Sequence, residues 1–396
     1  MRALHAWRRS RRLHSCLSSP SGRSCSNHAS LHLARLRPSV AHEPAPTKAA
    51  YKAHLSKRAF WSGLPSILVP PAVFASLLVG LWTYKCMMTV LFQDKIIYMP
   101  YMPPYARKER VQDYAAVCDP VEWEHVHIKS TDGTKIALCV GKIGSESSEN
   151  RRKKVGICYF QGNGSSTPPR LPLLSNTLKA IQAHAVTDIS FPDMEFVLVA
   201  LSYRGYWTSG GRASQKGIEE DAKAMLKWVE ATQNNADTNL DIFLWGQSIG
   251  AGVAATAASS YASVPNTTTG AKISGLILET PFTGIKSMLL ALYPQKWLPY
   301  RYLWPFLWNH WDSQAALQAL GRVNHRPTVL IMPATRDEVV PSSEADKLER
   351  IARNAGLRTL RTNIIGALHT EATTRKEGQT AIAKFVCDVL KEAHPR

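Results

Sequence analysis

Leu240-Asp-Ile-Phe-Leu-Trp-Gly-Gln-Ser-Ile-Gly-Ala-Gly-Val-Ala-Ala-Thr-Ala-Ala258 is the stretch on which the reading of this chain turns. Ile242 to Trp245 is an apolar run of strand type, and the segment after Gly250 is Ala-rich and of helical composition. Between them stands Gly246-Gln247-Ser248-Ile249-Gly250. Strand, Gly-x-Ser-x-Gly, helix is the context in which a serine sits at a sharp, strained turn with its hydroxyl projecting above a sheet. Backbone presses close on both sides of such a turn, so the flanking positions cannot carry side chains. The helix that follows aims its first N–H groups and its positive dipole end at the hydroxyl. The arrangement predicts a nucleophile at Ser248, although the five-residue pattern alone is common by chance.

Outward from this stretch, strand and helix signals alternate. Val121–Ile128 and Lys135–Lys142 alternate around Thr131-Asp132-Gly133, a hairpin signal. Apolar runs follow at Val155–Phe160, Glu195–Ser202, Ile273–Leu278, Thr328–Met332 and Thr359–Ile365. Helical segments are expected at Leu171–Val186, Ile218–Ala231, Ser343–Ala355 and about Glu371–Lys391. Continuous apolar strands separated by helices predict an α/β domain over 121–396. Its sheet is mostly parallel and covered on both faces, with the hairpin as the antiparallel edge. Between Pro281 and Pro327 the rhythm breaks into short-helix material dense in Trp and Tyr. Residues 281–327 are therefore expected to form an aromatic-rich helical lid lining an acyl pocket or touching a bilayer, against the simpler reading of aromatic packing on the core.

The net charge of +18 is concentrated at the N-terminus, where the first sixty residues hold twelve basic side chains against the single acid Glu43. The remainder is only mildly basic, and no nucleic-acid surface is expected. Residues 1–58 read as a basic leader, whose part from Met1 to about Val40 has the composition of either a mitochondrial presequence or a disordered cytosolic tail. Ala59–Tyr84 carries no charge and is largely apolar, with Trp61 at one end and Trp82 and Tyr84 at the other. About 20 such residues cross a bilayer, and aromatic residues favour its interfaces. One transmembrane helix over 59–84 is expected, kinked at Pro70-Pro71 and with its N-terminus inside. Residues 85–120 read as a juxtamembrane connector extended by its prolines. Single-pass insertion fits an endoplasmic-reticulum or other endomembrane and a mitochondrial membrane equally. The seven cysteines are scattered and odd in number, without CxxC or metal-type spacing. Neither a disulfide framework, a metal site nor a cofactor is expected, and Cys139 and Cys158 read as small core residues.

A serine nucleophile needs a base and an acid that orients the base. With Ser248 first in the chain, the order expected is serine, carboxylate, histidine, each past the carboxyl end of a strand. Asp337 follows Thr328–Met332, with Glu338 as runner-up, and His369 follows Thr359–Ile365. His310 and His325 precede Asp337, and His394 lies in the tail, so these fit poorly. Two backbone N–H groups must face the developing oxyanion. Ile249 supplies one. Asn163, in the Gln161-Gly162-Asn163-Gly164 loop after Val155–Phe160, supplies the other. Asn163-Gly-Ser is also a glycosylation pattern, but a sugar there would block the site; Asn266-Thr-Thr is the better acceptor if the domain faces a lumen.

Taken together, Gln161-Gly-Asn-Gly, Tyr203-Arg-Gly-Tyr with Ser209-Gly-Gly, Gly246-Gln-Ser-Ile-Gly, Glu279-Thr-Pro-Phe-Thr, Arg336-Asp-Glu-Val-Val-Pro and His369 resemble the membrane-anchored α/β-hydrolases of the fungal bud-emergence (Bem) type and their animal relatives, within the serine aminopeptidase-like hydrolases. The similarity runs over about 60–390. It departs from the family at Gln161, where a His is usual, and at Thr370-Glu371, where Asn-Asp usually follows the His. The resemblance implies an α/β-hydrolase fold, and a serine hydrolase cleaving an ester or thioester with a long acyl chain, palmitoyl-protein thioesters included. It also implies substrate contacts at Gln161, Gly162, Tyr203 and Gln247. A serine peptidase and a non-catalytic membrane scaffold stand as alternatives.

Overall fold

The computed structural model describes residues 65–143, 153–187, 194–234, 240–263 and 271–394. The basic leader, the first residues of the expected membrane span with Trp61, the polar loop around 144–152 and Asn266 lie outside the described residues.

The first helix, α1, runs Val69–Leu91 behind a 3₁₀ turn at Ser66–Leu68. Twenty-six residues, Ser66–Leu91, are apolar enough to cross a membrane, and none of them is packed inside the fold. The boundaries differ from the expected 59–84 in an instructive way. Pro70 and Pro71 do not kink the helix; they occupy its first turn, where their missing N–H groups have no intrahelical partner to lose. At the other end the helix passes Lys85 and continues to Leu91.

The connector is not extended. It folds into α2, Gln93–Tyr98, two 3₁₀ turns and one helical turn, α3, at Ala115–Cys118. Met99 closes α2 in the left-handed conformation, which turns the chain back onto the domain. Tyr98 is fully buried. Its hydroxyl donates to Asn309 Oδ1 (2.7 Å) and accepts from Trp311 Nε1 (2.9 Å), and its carbonyl accepts from the Tyr206 hydroxyl. Residues 93–120 thus belong to the packed body, and the domain does not begin at 121.

Eight strands follow: β1 Val121–Lys129, β2 Lys135–Ile143, β3 Lys153–Phe160, β4 Met194–Ser202, β5 Asp241–Gln247, β6 Lys272–Glu279, β7 Thr328–Met332 and β8 Thr359–Arg361. They form one sheet in the order β1-β2-β4-β3-β5-β6-β7-β8. The β1–β2 hairpin is antiparallel, β2 joins β4 antiparallel, and every later pairing is parallel. β3, β5 and β6 are apolar throughout their centres because helices cover both faces. One face carries α4 (Leu171–Val186) and α10 (Lys376–Ala393), packed on each other. The other carries α5 (Gln215–Gln233), α6 (Ile249–Ala262), α8 (Ser313–Leu320) and α9 (Ser342–Asn354). Cys139 and Cys158 are small buried core residues on opposite faces.

Two C-terminal boundaries move. The strand expected over 359–365 pairs only through Arg361, with one further bridge from Ile364 to Ala334. The last helix starts at Lys376 rather than Glu371, because the intervening residues are needed in turns that hold the loop after β8. The 281–327 insertion divides. α7 (Ile285–Leu292) and two 3₁₀ turns through Phe306 lie at the surface, whereas Trp311 is fully buried and α8 packs on α6.

Candidate active site

Ser248 is the residue between β5 and α6. It holds φ 55° and ψ −119°, a conformation that costs a non-glycine residue of order 1–3 kcal/mol. The cause is visible in its neighbours. A side chain on Gly246 would collide with the Gly250 carbonyl, and one on Gly250 with the Phe160 and Gln161 carbonyls. The turn is held instead by Ser248 N–H donating to the Glu279 carbonyl (2.9 Å) and Ala251 N–H to the Ser248 carbonyl (2.9 Å). As first residue of α6, Ile249 has no intrahelical acceptor for its N–H.

Three side chains from far apart in the chain meet at the carboxyl ends of β5, β7 and β8. Ser248 Oγ is 2.9 Å from His369 Nε2, and His369 Nδ1 is 2.9 and 3.0 Å from the two Asp337 oxygens. The imidazole and the carboxylate are nearly enclosed, at 9% and 6% side-chain exposure, so their contact is not diluted by water. Burial alone would raise the Asp337 pKa. The hydrogen bond from His369 and those from the Val339 and Val340 N–H groups outweigh it, and the pKa falls below its ordinary 3.8. Glu338, the runner-up acid, accepts the His369 backbone N–H (3.0 Å) and fixes the loop rather than the ring. His310 and His325 are exposed, and the His394 ring meets Asp241 at the opposite end of β5.

The hydroxyl opens on a cavity of about 470 Å³. Asn163, Ile249 and His369 line its polar end, with Glu338 and Thr370. The rest is overwhelmingly apolar: Phe282, Met288, Leu289 and Leu307 from the insertion and Val340 from the loop after β7. Sequence reasoning missed one wall. Val90, Gln93, Ile96 and Ile97, from the end of α1 and from α2, face the same cavity. The only signal for this was the absence of a charge at these four positions, and the reading of 85–120 as a connector gave it no part.

Of the residues expected at the substrate, Gln161, Gly162, Tyr203 and Gln247 do not line the cavity. They form the floor beneath it. Gln161 is fully buried, accepts Tyr203 OH at its carbonyl (2.8 Å) and Thr167 Oγ1 at its side chain (3.2 Å), and leaves its Nε2 without a partner. Gly162 approaches Ser248 and Gln247 so closely that a side chain would rest on both. Gln247 Oε1 accepts from Arg170 Nη1 (2.8 Å), and its Nε2 donates to Glu279 Oε1 (3.2 Å). Glu279 was quoted in a motif but given no part. It is fully buried at the end of β6, where its carboxylate accepts from Trp245 Nε1, Gln247 Nε2 and both the N–H and hydroxyl of Thr373. Burial pushes its pKa up, against those hydrogen bonds. Glu279 thereby ties the strand before Ser248 to the loop after His369.

A strained serine between strand and helix, on an eight-stranded mostly parallel sheet, with carboxylate and histidine following in that order along the chain, defines an α/β-hydrolase. No family model matches the chain. Its homologues are nonetheless the Bem46 and ABHD12/WAV2 α/β-hydrolase domain proteins. It is 25% identical to Protein bem46 of Schizosaccharomyces pombe, over 56% of this chain and 62% of that one. It is 28% identical to the α/β-hydrolase domain-containing protein WAV2 of Arabidopsis thaliana, over 52% and 58%. With the lysophosphatidylserine lipase ABHD12 of Danio rerio the identity is 31%, over 50% and 47%. The chain thus spans less than two thirds of each relative. Among solved structures, an α/β-hydrolase from Vibrio vulnificus superposes with TM-score 0.52 at 18% identity, covering 76% of this chain and 92% of that one, a likeness of fold.

Proposed function

We propose that the chain is a membrane-anchored serine hydrolase that cleaves a carboxylic ester or thioester of a long acyl chain through an acyl-enzyme. The observation that carries this is the unbroken contact chain from Ser248 Oγ through His369 to Asp337, opening directly on an apolar cavity. In this reading His369 Nε2 takes the Ser248 proton as Oγ attacks the acyl carbonyl. Asp337, ionised, holds the ring with Nδ1 protonated and balances the imidazolium. The Ile249 and Asn163 N–H groups receive the oxyanion. The imidazolium then protonates the leaving alkoxide or thiolate, and a water, deprotonated by the same nitrogen, releases the acid and restores Ser248.

The cavity wall favours an acyl substrate over a peptide. An aminopeptidase must pair a substrate ammonium, and the only acid among the described residues of the wall, Glu338, already receives the His369 N–H. Apolar side chains instead reward acyl chains by burial. The relatives named lysophosphatidylserine lipases make a lipid ester the first substrate to try, with palmitoyl-protein thioesters second. The helix Ser66–Leu91 serves as a single membrane anchor. A fluorophosphonate probe should label the wild type and not Ser248→Ala. Long-chain acyl esters and thioesters should turn over at least a hundredfold faster than aminoacyl arylamides. Labelling that survives in Ser248→Ala removes the proposed nucleophile, and preferred cleavage of the arylamides makes the protein a peptidase.

A further inference from the structure

The exposed part of the insertion is unusual in what it leaves uncovered. Trp297, Tyr302, Trp304, Phe306 and Trp308 are 42 to 69% exposed on one short segment. Large exposed apolar side chains gathered in this way mark a surface that meets something other than water. What they meet follows from where the segment touches α1. The Trp297 ring packs on Trp82, with centroids 6.3 Å apart. Lys85 Nζ stands 4.7 Å above the Tyr300 ring. Gln93 Nε2 donates to the Phe306 carbonyl (3.1 Å), and Trp308 Nε1 donates to Asp94 (3.0 Å). The insertion is therefore strapped to the helix from Trp82 to Asp94.

That stretch of helix is where a bilayer would end. From Pro65 to Tyr84 the helical run carries no charge. Twenty residues at about 1.5 Å each span about 30 Å, the thickness of a hydrocarbon core. Lys85 is the first charge beyond it. Trp82 and Tyr84 then lie at the boundary, and Trp297, packed against Trp82 with its ring tilted, lies at the same depth. Indole rings with a polar edge favour that zone. The neighbouring cations fit it as well: Lys286 sits 3.6 Å over the Trp304 ring, and Lys85, Lys296 and Arg301 are close in sequence or space to the same aromatics. Basic and aromatic groups together match a layer of anionic phosphates above acyl chains.

We propose that this face is a membrane seat. The aromatic and basic surface of 292–308 rests in the headgroup layer of an anionic phospholipid bilayer, on the leaflet where α1 emerges. The mouth of the cavity then opens toward that leaflet. Leu292, Leu303 and Phe306 line the cavity while belonging to this segment. The substrate is therefore an amphiphile resident in the membrane, whose acyl chain slides from the leaflet past these side chains toward Ser248 without crossing bulk water. The proposal rests on the anchor and hydrolase readings above.

The test uses the full chain reconstituted in phosphatidylcholine vesicles with and without phosphatidylglycerol. The variant is the double substitution Trp297→Ser and Trp304→Ser; both side chains are exposed and neither lines the cavity. Dibrominated lipid should quench the tryptophan emission of the wild type more strongly than that of the variant, and more so with phosphatidylglycerol present. Turnover of a long-chain acyl ester embedded in the vesicles should fall at least tenfold in the variant. Hydrolysis of water-soluble p-nitrophenyl butyrate and fluorophosphonate labelling should stay within twofold of wild type. Equal quenching of the two proteins overturns the seat. So does an equal loss on the soluble and embedded esters, or cross-linking of these positions to a second copy or another protein in place of lipid. Quenching needs no catalysis, so loss of all labelling with intact quenching would refute the hydrolase and leave the seat standing.

Discussion

If the cavity of about 470 Å³ beside Ser248 holds the acyl chain, its wall fixes how rate depends on chain length. Each buried methylene contributes about 0.8 kcal/mol. With tenfold per about 1.4 kcal/mol, that is roughly fourfold in kcat/KM for each carbon that stays inside. From a four-carbon to an eight-carbon acyl p-nitrophenyl ester the gain should approach about 200-fold, with a plateau once the cavity is full. Met288 is the side chain on which to move that plateau. It is 9% exposed, lies on the inner face of α7 and lines the cavity. Met288→Trp narrows the space without touching Ser248, His369 or Asp337. Overpacking there costs about 1–3 kcal/mol of stability, which a melting curve measures separately. The variant should retain four-carbon turnover within about threefold and lose the greater part of the eight-carbon gain, since one or two excluded methylenes each forfeit about fourfold. Steady-state kinetics on the two esters decide it. A wild type flat across four to eight carbons would refute the acyl-pocket reasoning. A variant losing both esters in proportion would refute Met288 as part of the wall.

Four further outcomes follow from the same geometry. Asp337→Asn should keep the fold but lose about 10³- to 10⁴-fold in kcat, because the amide no longer holds the His369 ring with Nδ1 protonated. The lowered carboxylate pKa also has a stability consequence: the stabilisation Asp337 provides is present above 3.8 and lost as pH falls through its lower folded value. The melting-temperature difference between wild type and Asp337→Asn should therefore be constant above about pH 5 and shrink below 3.8. Glu279→Gln faces an amide N–H₂ toward donors at one of its oxygens, Trp245 on one side or Gln247 and Thr373 on the other. A loss of about 1–3 kcal/mol in denaturant unfolding is expected, and an unchanged midpoint would mean these contacts are not held in solution. Gly250→Val drives a side chain into the Phe160 and Gln161 carbonyls and should abolish soluble expression or labelling, whereas Ala at the exposed Gly80, with nothing near it, should not.

How much of this was open to reading in the sequence depends on whether the cause is local. The turn at Ser248 was legible because it is built by the residues that spell it: Gly246 and Gly250 are demanded by contacts within the elbow and with the adjacent β3 loop. Asp337 and His369 were legible from order and from the strand ends they follow, although only coordinates separate Asp337 from Glu338, one residue away. Tyr203, Gln161 and Gln247 were misread. The resemblance that implied them says nothing of depth, which is a tertiary property. A polar side chain beside the nucleophile lies above or below the floor according to packing, and here Arg170, Glu279 and Thr167 draw them below. Pro70 and Pro71 were misread because the start of a helix decides whether proline opens it or bends it. The connector was misread because Tyr98, Gln93 and Asn309 find partners some two hundred residues away, which no local pattern encodes.

The folding of residues 93–120 into the body has a consequence for any form of this protein that lacks the proposed anchor. Proteolysis or alternative initiation beyond residue 98 would remove more than a tether. It would strip the side chains of Val90, Gln93, Ile96 and Ile97 from the chamber beside Ser248 and leave Asn309 and Trp311 without Tyr98. A shed form would be a leakier enzyme with a different appetite, rather than the same enzyme set free.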